Sequence, residues 1–209
     1  MYRGTYTLIG VEPSMFTRKL EAQLRYQNIP YEWQFKTDAK TPEIETRAGT
    51  RFIPLLATPD SWLINDTISL GPMLHQRFND VPVIPNTPAQ RGICFILEDY
   101  YNHWFTRHAT HSRWCYPDNV AVLGDYFGAN RILGKSLHSD LTAAEREQIA
   151  GMGTYMRENF GMAACEVQGA GGDKKAEVQK DFKRNMDMLS AHFSEHDFLL
   201  GGKPSIGDF

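Results

Sequence analysis

The sequence predicts a small α/β unit joined by a proline-rich linker to an all-helical unit. Three observations lead to it. From Thr5 to about Phe78, short β-like runs alternate with helical stretches. Val81-Pro82-Val83-Ile84-Pro85-Asn86-Thr87-Pro88 then interrupts any regular element. Beyond it strand signals largely vanish, and apolar residues recur at helical spacing. A chain of 209 residues accommodates one large domain or two small ones, so the expected division is 1–80, a linker at 81–90, and 91–209.

Each element has its own signal. Thr5-Tyr6-Thr7-Leu8-Ile9-Gly10 reads as a strand. Val11-Glu12-Pro13-Ser14 leads into a helical pattern carrying Leu20 and Leu24 and ending near Asn28-Ile29-Pro30. Tyr31-Glu32-Trp33-Gln34-Phe35 alternates apolar and polar at period two, a second strand. Thr41-Pro42-Glu43 lies in a polar stretch read as irregular. Phe52-Ile53-Pro54-Leu55-Leu56 and Trp62-Leu63-Ile64 predict two short strands around a turn at Pro59-Asp60. Asp66-Thr67 opens a helix running to Phe78, with Pro72 expected near its first turns, where a missing N–H costs least. The predicted order is β-α-β-β-β-α.

In the second half, Ile93, Ile96, Leu97, Tyr100, Tyr101, Trp104, Phe105 and His108 define one broad helical face. Thr142-Ala143-Ala144-Glu145 is a capping box, with Ile149, Met152, Met156 and Phe160 behind it. Gly169 to Gly172 reads as a loop. Asp173 is expected to cap a last long helix bearing Val178, Phe182, Leu189 and Phe193.

Composition narrows the function. The chain is 42% hydrophobic and 22% charged, which argues for a globular protein over a disordered or fibrous one. A net charge of -3 leaves no basic surplus to neutralise phosphates, so nucleic acid is not an expected partner. No apolar run approaches the roughly 20 residues that span a bilayer, and Met1 to Thr5 carry no signal-peptide core. Three widely spaced cysteines make no disulfide framework, and a cytoplasmic location with reduced thiols is expected.

Three short segments carry chemistry, each with a plainer alternative. Ser14 is placed to be the N-cap of the first helix, where free N–H groups and the positive end of the helix dipole suit a thiolate. Its hydroxyl would favour the ionised sulfur, or it is simply a cap. At Ile53-Pro54 a proline heads a buried strand. It either starts that strand or follows a cis bond that turns the Ile53 backbone outward to pair with an extended peptide. Asp66-Thr67 offers a carboxylate, a hydroxyl and free amides at one helix N-terminus, fit to hold a ligand amino acid or merely to cap.

In order and spacing these segments resemble the glutathione transferase family, a thioredoxin-like N-terminal domain followed by a helical C-terminal domain. Ser14-Met15-Phe16-Thr17-Arg18-Lys19-Leu20 is similar to the family's Cys/Ser-x-x-x-Arg-Lys-Val segment and puts Ser14 at the thiol-activating position. Ile53-Pro54 resembles the Val-cis-Pro that pairs with glutathione's cysteinyl backbone, and Asp66-Thr67 the acidic-Ser pair that binds its γ-glutamyl group. Phe198 to Phe209 resembles the family's Phe-Leu-x-Gly…Ser-x-Ala-Asp segment, in which Ser205 and Asp208 would form the capping box of a buried helix. Departures are the absence of a tyrosine at the end of the first strand and of a cysteine beside Ser14, Thr67 for serine, Gly207 for alanine, and a longer region from Trp104 to Asp197.

The resemblance implies a cytoplasmic homodimeric enzyme that activates glutathione, its co-substrate, for attack on a small aromatic or hydrophobic electrophile. The alternatives are a non-catalytic binding or scaffold protein on the same fold, or a glutathione-dependent lyase, isomerase or dehalogenase. Phe16, Tyr100, Tyr101, Trp104, His108 and His111 are candidates to line the acceptor pocket, although aromatic stripes at helical spacing are also ordinary core. His108, His111 and Cys115 fall on one helical face with His103 nearby, but no carboxylate or second cysteine completes a zinc spacing, so no metal is expected. Because Ser205 to Asp208 announces a helix with almost no chain after it, the natural chain is expected to continue for about 40 residues or more.

Overall fold

A computed structural model describes residues 4–209; Met1 to Arg3, at the head of the expected first domain, lie outside the described residues. The first part runs β1 (Tyr6–Gly10), α1 (Met15–Tyr26), β2 (Tyr31–Phe35), α2 (Thr41–Ala48), β3 (Leu55–Ala57), β4 (Leu63–Asn65) and α3 (Thr67–Arg77). The four strands form one sheet in the order β2-β1-β3-β4. β1 and β2 are parallel across the α1 crossover, while β3 pairs antiparallel with both β1 and β4.

The period-two alternation of β1 sorts its side chains onto two faces. Tyr6 and Leu8 join Leu20 and Leu24 of α1, Leu70 and Leu74 of α3, Ile29 and Leu56 in one buried cluster. Ile9 points the other way, with Leu55 and Ile44 of α2. Burying each such side chain contributes about 1.5–3 kcal/mol, so β1 with a helix behind each face is the anchor of this unit.

Helix α2 corrects the predicted β-α-β-β-β-α order to β-α-β-α-β-β-α. Only one of its side chains, Ile44, is buried, so no apolar periodicity announces it. Its signals are those of the ends: Pro42 in the first turn, Glu43 near the N-terminus, Arg47 in the last turn, and Gly49 closing it at φ 65°. β3 begins at Leu55 rather than Phe52, because Pro54 has no N–H to give to a ladder; Phe52 is 66% exposed. Pro72 is the sixth residue of α3, inside the helix.

The remaining helices are α4 (Pro88–Asp99), α5 (Thr106–Trp114), α6 (Pro117–Gly128), α7 (Ala143–Ile149), α8 (Met152–Met156), α9 (Met162–Val167) and α10 (Lys175–Phe193). Three single π-helical turns, Tyr100–Trp104, Ala129–Leu133 and Arg157–Gly161, lie among them. The capping box Thr142–Glu145 is present at the head of α7. Asp173 does not cap α10: a 3₁₀ turn at Gly172–Lys174 comes first and Lys174 occupies the cap, so the Asp173 carboxylate instead faces the Lys174 ammonium at 3.8 Å.

The chain divides into two compact units. One comprises the chain through Pro82 with Asp125–Ala150 and Phe209, the other Val83–Gly124 with Gly151–Asp208. In the second unit Cys94, Trp114, Val120, Met156, Cys165, Val178 and Ile206 are buried. There α6 and α8 meet backbone to backbone: a Cβ at Gly124 would strike Gly153 N, and one at Gly153 would strike Val120 O. Among the described residues no helix is long and apolar enough to cross a membrane.

Candidate functional site

The strand register assembles the site. Ile9 of β1 stands opposite Leu55 of β3, and Leu55 opposite Asn65 of β4. The end of β1, the start of β3 and the end of β4 therefore lie at the same end of the sheet. The Ser14 loop follows β1, Pro54 precedes β3 and Asp66 follows β4, so three segments spread over more than fifty residues open at that end.

Ser14 is the N-cap of α1. Its backbone is extended (φ -77°, ψ 119°), its Oγ accepts from Thr17 N at 3.2 Å, and its carbonyl takes the first helical bond, from Arg18 N, at 3.0 Å. Beneath it, Thr17 packs against Gly10, where a Cβ would fall 2.5 Å from Thr17 Oγ1. Only glycine lets the strand end approach the helix this closely.

The loop before Ser14 is pinned by Glu12. Its carboxylate accepts from Asn130 Nδ2 at 2.9 Å, Ser136 Oγ at 2.7 Å and Leu137 N at 3.2 Å. Burial is the largest single influence and raises its pKa, yet these hydrogen bonds and the Arg18 charge outweigh it and hold the carboxyl below its usual range. Arg18 also donates through Nε to Glu12 O at 3.0 Å and through Nη1 to Glu21 at 2.6 Å, and its guanidinium lies 5.4 Å from the Trp33 ring centroid. Glu21 in turn accepts from Tyr31 Oη at 2.8 Å and Trp33 Nε1 at 3.0 Å. Burial and the Glu21 bond push the Tyr31 hydroxyl up to about 12. Sequence reasoning overlooked Glu12 and Glu21; Arg18, four residues after Ser14, was the one visible hint of this network.

The Ile53–Pro54 bond is cis and Pro54 is buried. Asp66 (φ 73°) caps α3, its Oδ1 accepting from Ile68 N at 3.1 Å and its Oδ2 from Ser69 Oγ at 3.3 Å; Thr67 is buried beside it.

In the helical unit, the aromatic stripe faces α10. Tyr100 Oη donates to Asn185 Oδ1 at 2.6 Å, and Trp104 Nε1 to Asp181 Oδ2 at 3.3 Å. His108 Nε2 meets that same Asp181 oxygen at 3.0 Å, and His111 Nδ1 donates to Ala170 O at 2.8 Å. Both histidines are buried, whereas Trp104 is 48% exposed. Tyr101 is half-buried, with edge contacts to Tyr100 and Phe105. Phe16 is half-buried on α1. The π turn at Tyr100–Trp104, invisible to a 3.6-residue reading, changes which of these rings share a face. Near the C-terminus, Asp208 Oδ2 accepts from Ser205 N and Oγ, both at 2.8 Å, and Asp208 Oδ1 accepts from Leu199 N, also at 2.8 Å. Among the described residues no group of three His, Cys, Asp or Glu side chains is arranged to hold a metal ion.

No protein-family model and no curated protein sequence matches the chain. Solved structures do. A glutathione S-transferase from Rhodospirillum rubrum F11 aligns over 97% of this chain and 72% of its own, with TM-score 0.62 and 14% identity. The beta-etherase LigF from Sphingobium sp. strain SYK-6 aligns over 98% and 79%, with TM-score 0.64 and 13% identity. A glutathione S-transferase from Pseudomonas fluorescens aligns over 97% and 79%, with TM-score 0.53 and 15% identity. The chain has the fold of the glutathione S-transferases: a thioredoxin-like unit with a four-stranded mixed sheet, and a helical region.

Proposed function

We propose that the protein is a glutathione transferase in which Ser14 stabilises the thiolate of glutathione. The observation that carries this reading is the register that sets the segments of Ser14, Ile53-Pro54 and Asp66-Thr67 at one end of the sheet. The cap does not compete with the chemistry. A hydroxyl has one donor and two acceptor lone pairs, and Ser14 uses a lone pair on Thr17 N, so its proton is available to a sulfur anion. The α1 N-terminus adds a favourable field.

Glutathione would lie across that end. Its γ-glutamyl ammonium would meet the Asp66 carboxylate, which keeps lone pairs beyond those used by Ile68 N and Ser69 Oγ. Thr67 and the free amides of α3 would receive its carboxylate, and the Ile53 backbone its cysteinyl amide. Each unit by which the thiol pKa falls is worth about 1.4 kcal/mol, so a drop of one to two units supplies useful thiolate near neutral pH. The thiolate then attacks an electrophilic carbon of an aromatic or hydrophobic acceptor. Within the sheet-bearing unit the acceptor contact is assigned to Phe16, half-buried on α1 two residues after Ser14; His108 and His111 are buried and already bonded. No metal takes part in this reading, and a cytoplasmic homodimer is its expected state.

Two other readings compete. One is glutathione-dependent ether cleavage, a reading suggested by the fold shared with the beta-etherase LigF. A binding or scaffold protein on the same fold would leave Ser14 as a cap alone. Retention on immobilised glutathione, followed by turnover assays with aryl halide and aryl ether acceptors, separates the three. No retention and no thiol-dependent turnover would overturn the enzyme reading; light scattering reports the oligomeric state.

A further inference from the structure

The helical unit contains a second sulfur site, remote in sequence from Ser14. Cys115 forms the C-terminal cap of α5, its N–H donating to His111 O at 2.9 Å, and Cys165 lies on α9. Fifty residues apart in sequence, their Sγ atoms stand 3.9 Å apart. We propose that Cys115 and Cys165 are a peroxide-responsive thiol pair that closes to a disulfide, tying the end of α5 to α9.

The surroundings give the two sulfurs different roles. Cys115 is only half-buried, so an oxidant reaches it first. Cys165 has no exposed surface, and its Sγ also lies 3.6 Å from Thr110 O. Burial and the neighbouring Cys115 sulfur push the Cys165 thiol up to about 12, with Glu166 adding to the rise and Arg157 opposing it. Cys165 is therefore inert to peroxide by itself, which suits the second, resolving sulfur. The carbonyl of Ala170 receives both Cys115 Sγ, at 3.9 Å, and His111 Nδ1, while Ala170 N bonds Cys165 O at 2.8 Å. One short loop thus holds both cysteines in place. Closing a disulfide requires the sulfurs to approach by roughly 1.9 Å, to the 2.0 Å of an S–S bond.

The chemistry balances with hydrogen peroxide as the oxidant. The Cys115 thiolate attacks one peroxide oxygen, an S–O bond forms, the O–O bond breaks, and the leaving oxygen takes a proton and departs as water. The sulfur has then lost two electrons and carries a hydroxyl. Cys165 gives up its proton and attacks Cys115 Sγ; the S–S bond forms, the S–O bond breaks, and the released hydroxide takes the Cys165 proton to leave a second water. Two thiols and one peroxide become one disulfide and two waters.

The third cysteine is an internal control. Cys94 has no exposed surface and contacts Ser205, with burial raising its pKa. The test treats the whole protein with one to a few equivalents of hydrogen peroxide, then alkylates it under denaturing conditions and maps the peptides. The expected result is loss of two of the three alkylatable thiols, a Cys115–Cys165 linked peptide, a mass lower by two hydrogens, and full recovery with dithiothreitol. Cys165→Ser is expected to stop at a sulfenic acid on residue 115, captured by dimedone, while Cys115→Ser is expected to keep both remaining thiols. Retention of all three thiols in the wild-type protein, or a link that involves Cys94 or a second molecule, would overturn the proposal. The wild-type measurement stands even where a cysteine variant folds poorly.

Discussion

Glu12 and Asn130, 118 residues apart, exchange hydrogen bonds in both directions: Glu12 N–H donates to Asn130 Oδ1 at 2.6 Å, and Asn130 Nδ2 donates to the Glu12 carboxylate at 2.9 Å. Asn130 has no exposed surface and also donates to Lys135 O at 2.9 Å. Its side chain thereby ties the π turn Ala129–Leu133 to the loop two residues before Ser14. Replacing it with alanine leaves the Glu12 N–H and the Lys135 carbonyl without these partners. Glu12 is half-buried and Lys135 exposed, so water replaces part of what is lost; at about 0.5–1.5 kcal/mol for each hydrogen bond, Asn130→Ala is expected to lower stability by about 1–3 kcal/mol in urea unfolding. Asn130→Asp is expected to be worse at neutral pH, because a second carboxylate would face Glu12.

The same carboxylate sets an acid limit. The folded Glu12 has a pKa below its ordinary 4.5, so the unfolded chain binds the proton more tightly. Its contribution is therefore fully present above about pH 4.5 and is lost as the pH falls through the lower, folded value. Glu21 shifts in the same direction, its burial outweighed by bonds from Trp33, Arg18 and Tyr31, and adds to the same window. Unfolding midpoints measured from pH 3 to 7 are expected to fall less steeply with acid in Glu12→Gln than in the wild type. Equal slopes would show that Glu12 contributes nothing to the pH dependence.

Gly153 tests a packing contact instead of a polar one. A methyl group there would meet the Val120 carbonyl, a backbone atom that cannot rotate away. The helices α6 and α8 would have to separate, so Gly153→Ala is expected to cost about 1–3 kcal/mol despite alanine's better helix propensity. Gly92→Ala, where nothing lies within 4 Å of the added carbon, is the matched control and is expected to be neutral or stabilising.

How much of this was legible depends on whether a pattern repeats along the chain. β1, β2 and α1 announce themselves because Tyr6, Leu8, Trp33, Leu20 and Leu24 recur at the period of their element and meet in one core. Helix α2 stays silent because Ile44 is its one buried anchor. The three candidate segments were visible as caps and a proline, while their convergence follows from the Ile9–Leu55–Asn65 register, which spacing alone does not specify. Glu12–Asn130 and Cys115–Cys165 are single contacts between distant residues, and such pairs leave no periodic trace. The π turns are missed for a different reason, since they shift a helical face without changing composition.

Ser14 offers a way to separate a cap from a thiol activator. Removing the hydroxyl in Ser14→Ala takes away the bond to Thr17 N and is expected to cost about 0.5–2 kcal/mol of stability whichever role is correct. The bound thiol distinguishes them. Loss of the donor is expected to raise the pKa of bound glutathione by about one to two units and to lower turnover at neutral pH about ten- to a hundredfold. Ser14→Asp sharpens the contrast, because aspartate is as good a cap as serine but, ionised, has no proton to donate and repels a thiolate. It is expected to retain the stability of the wild type while losing the activity and the low thiol pKa together. A Ser14→Asp protein that binds glutathione with an unchanged thiol titration would reduce Ser14 to its structural role.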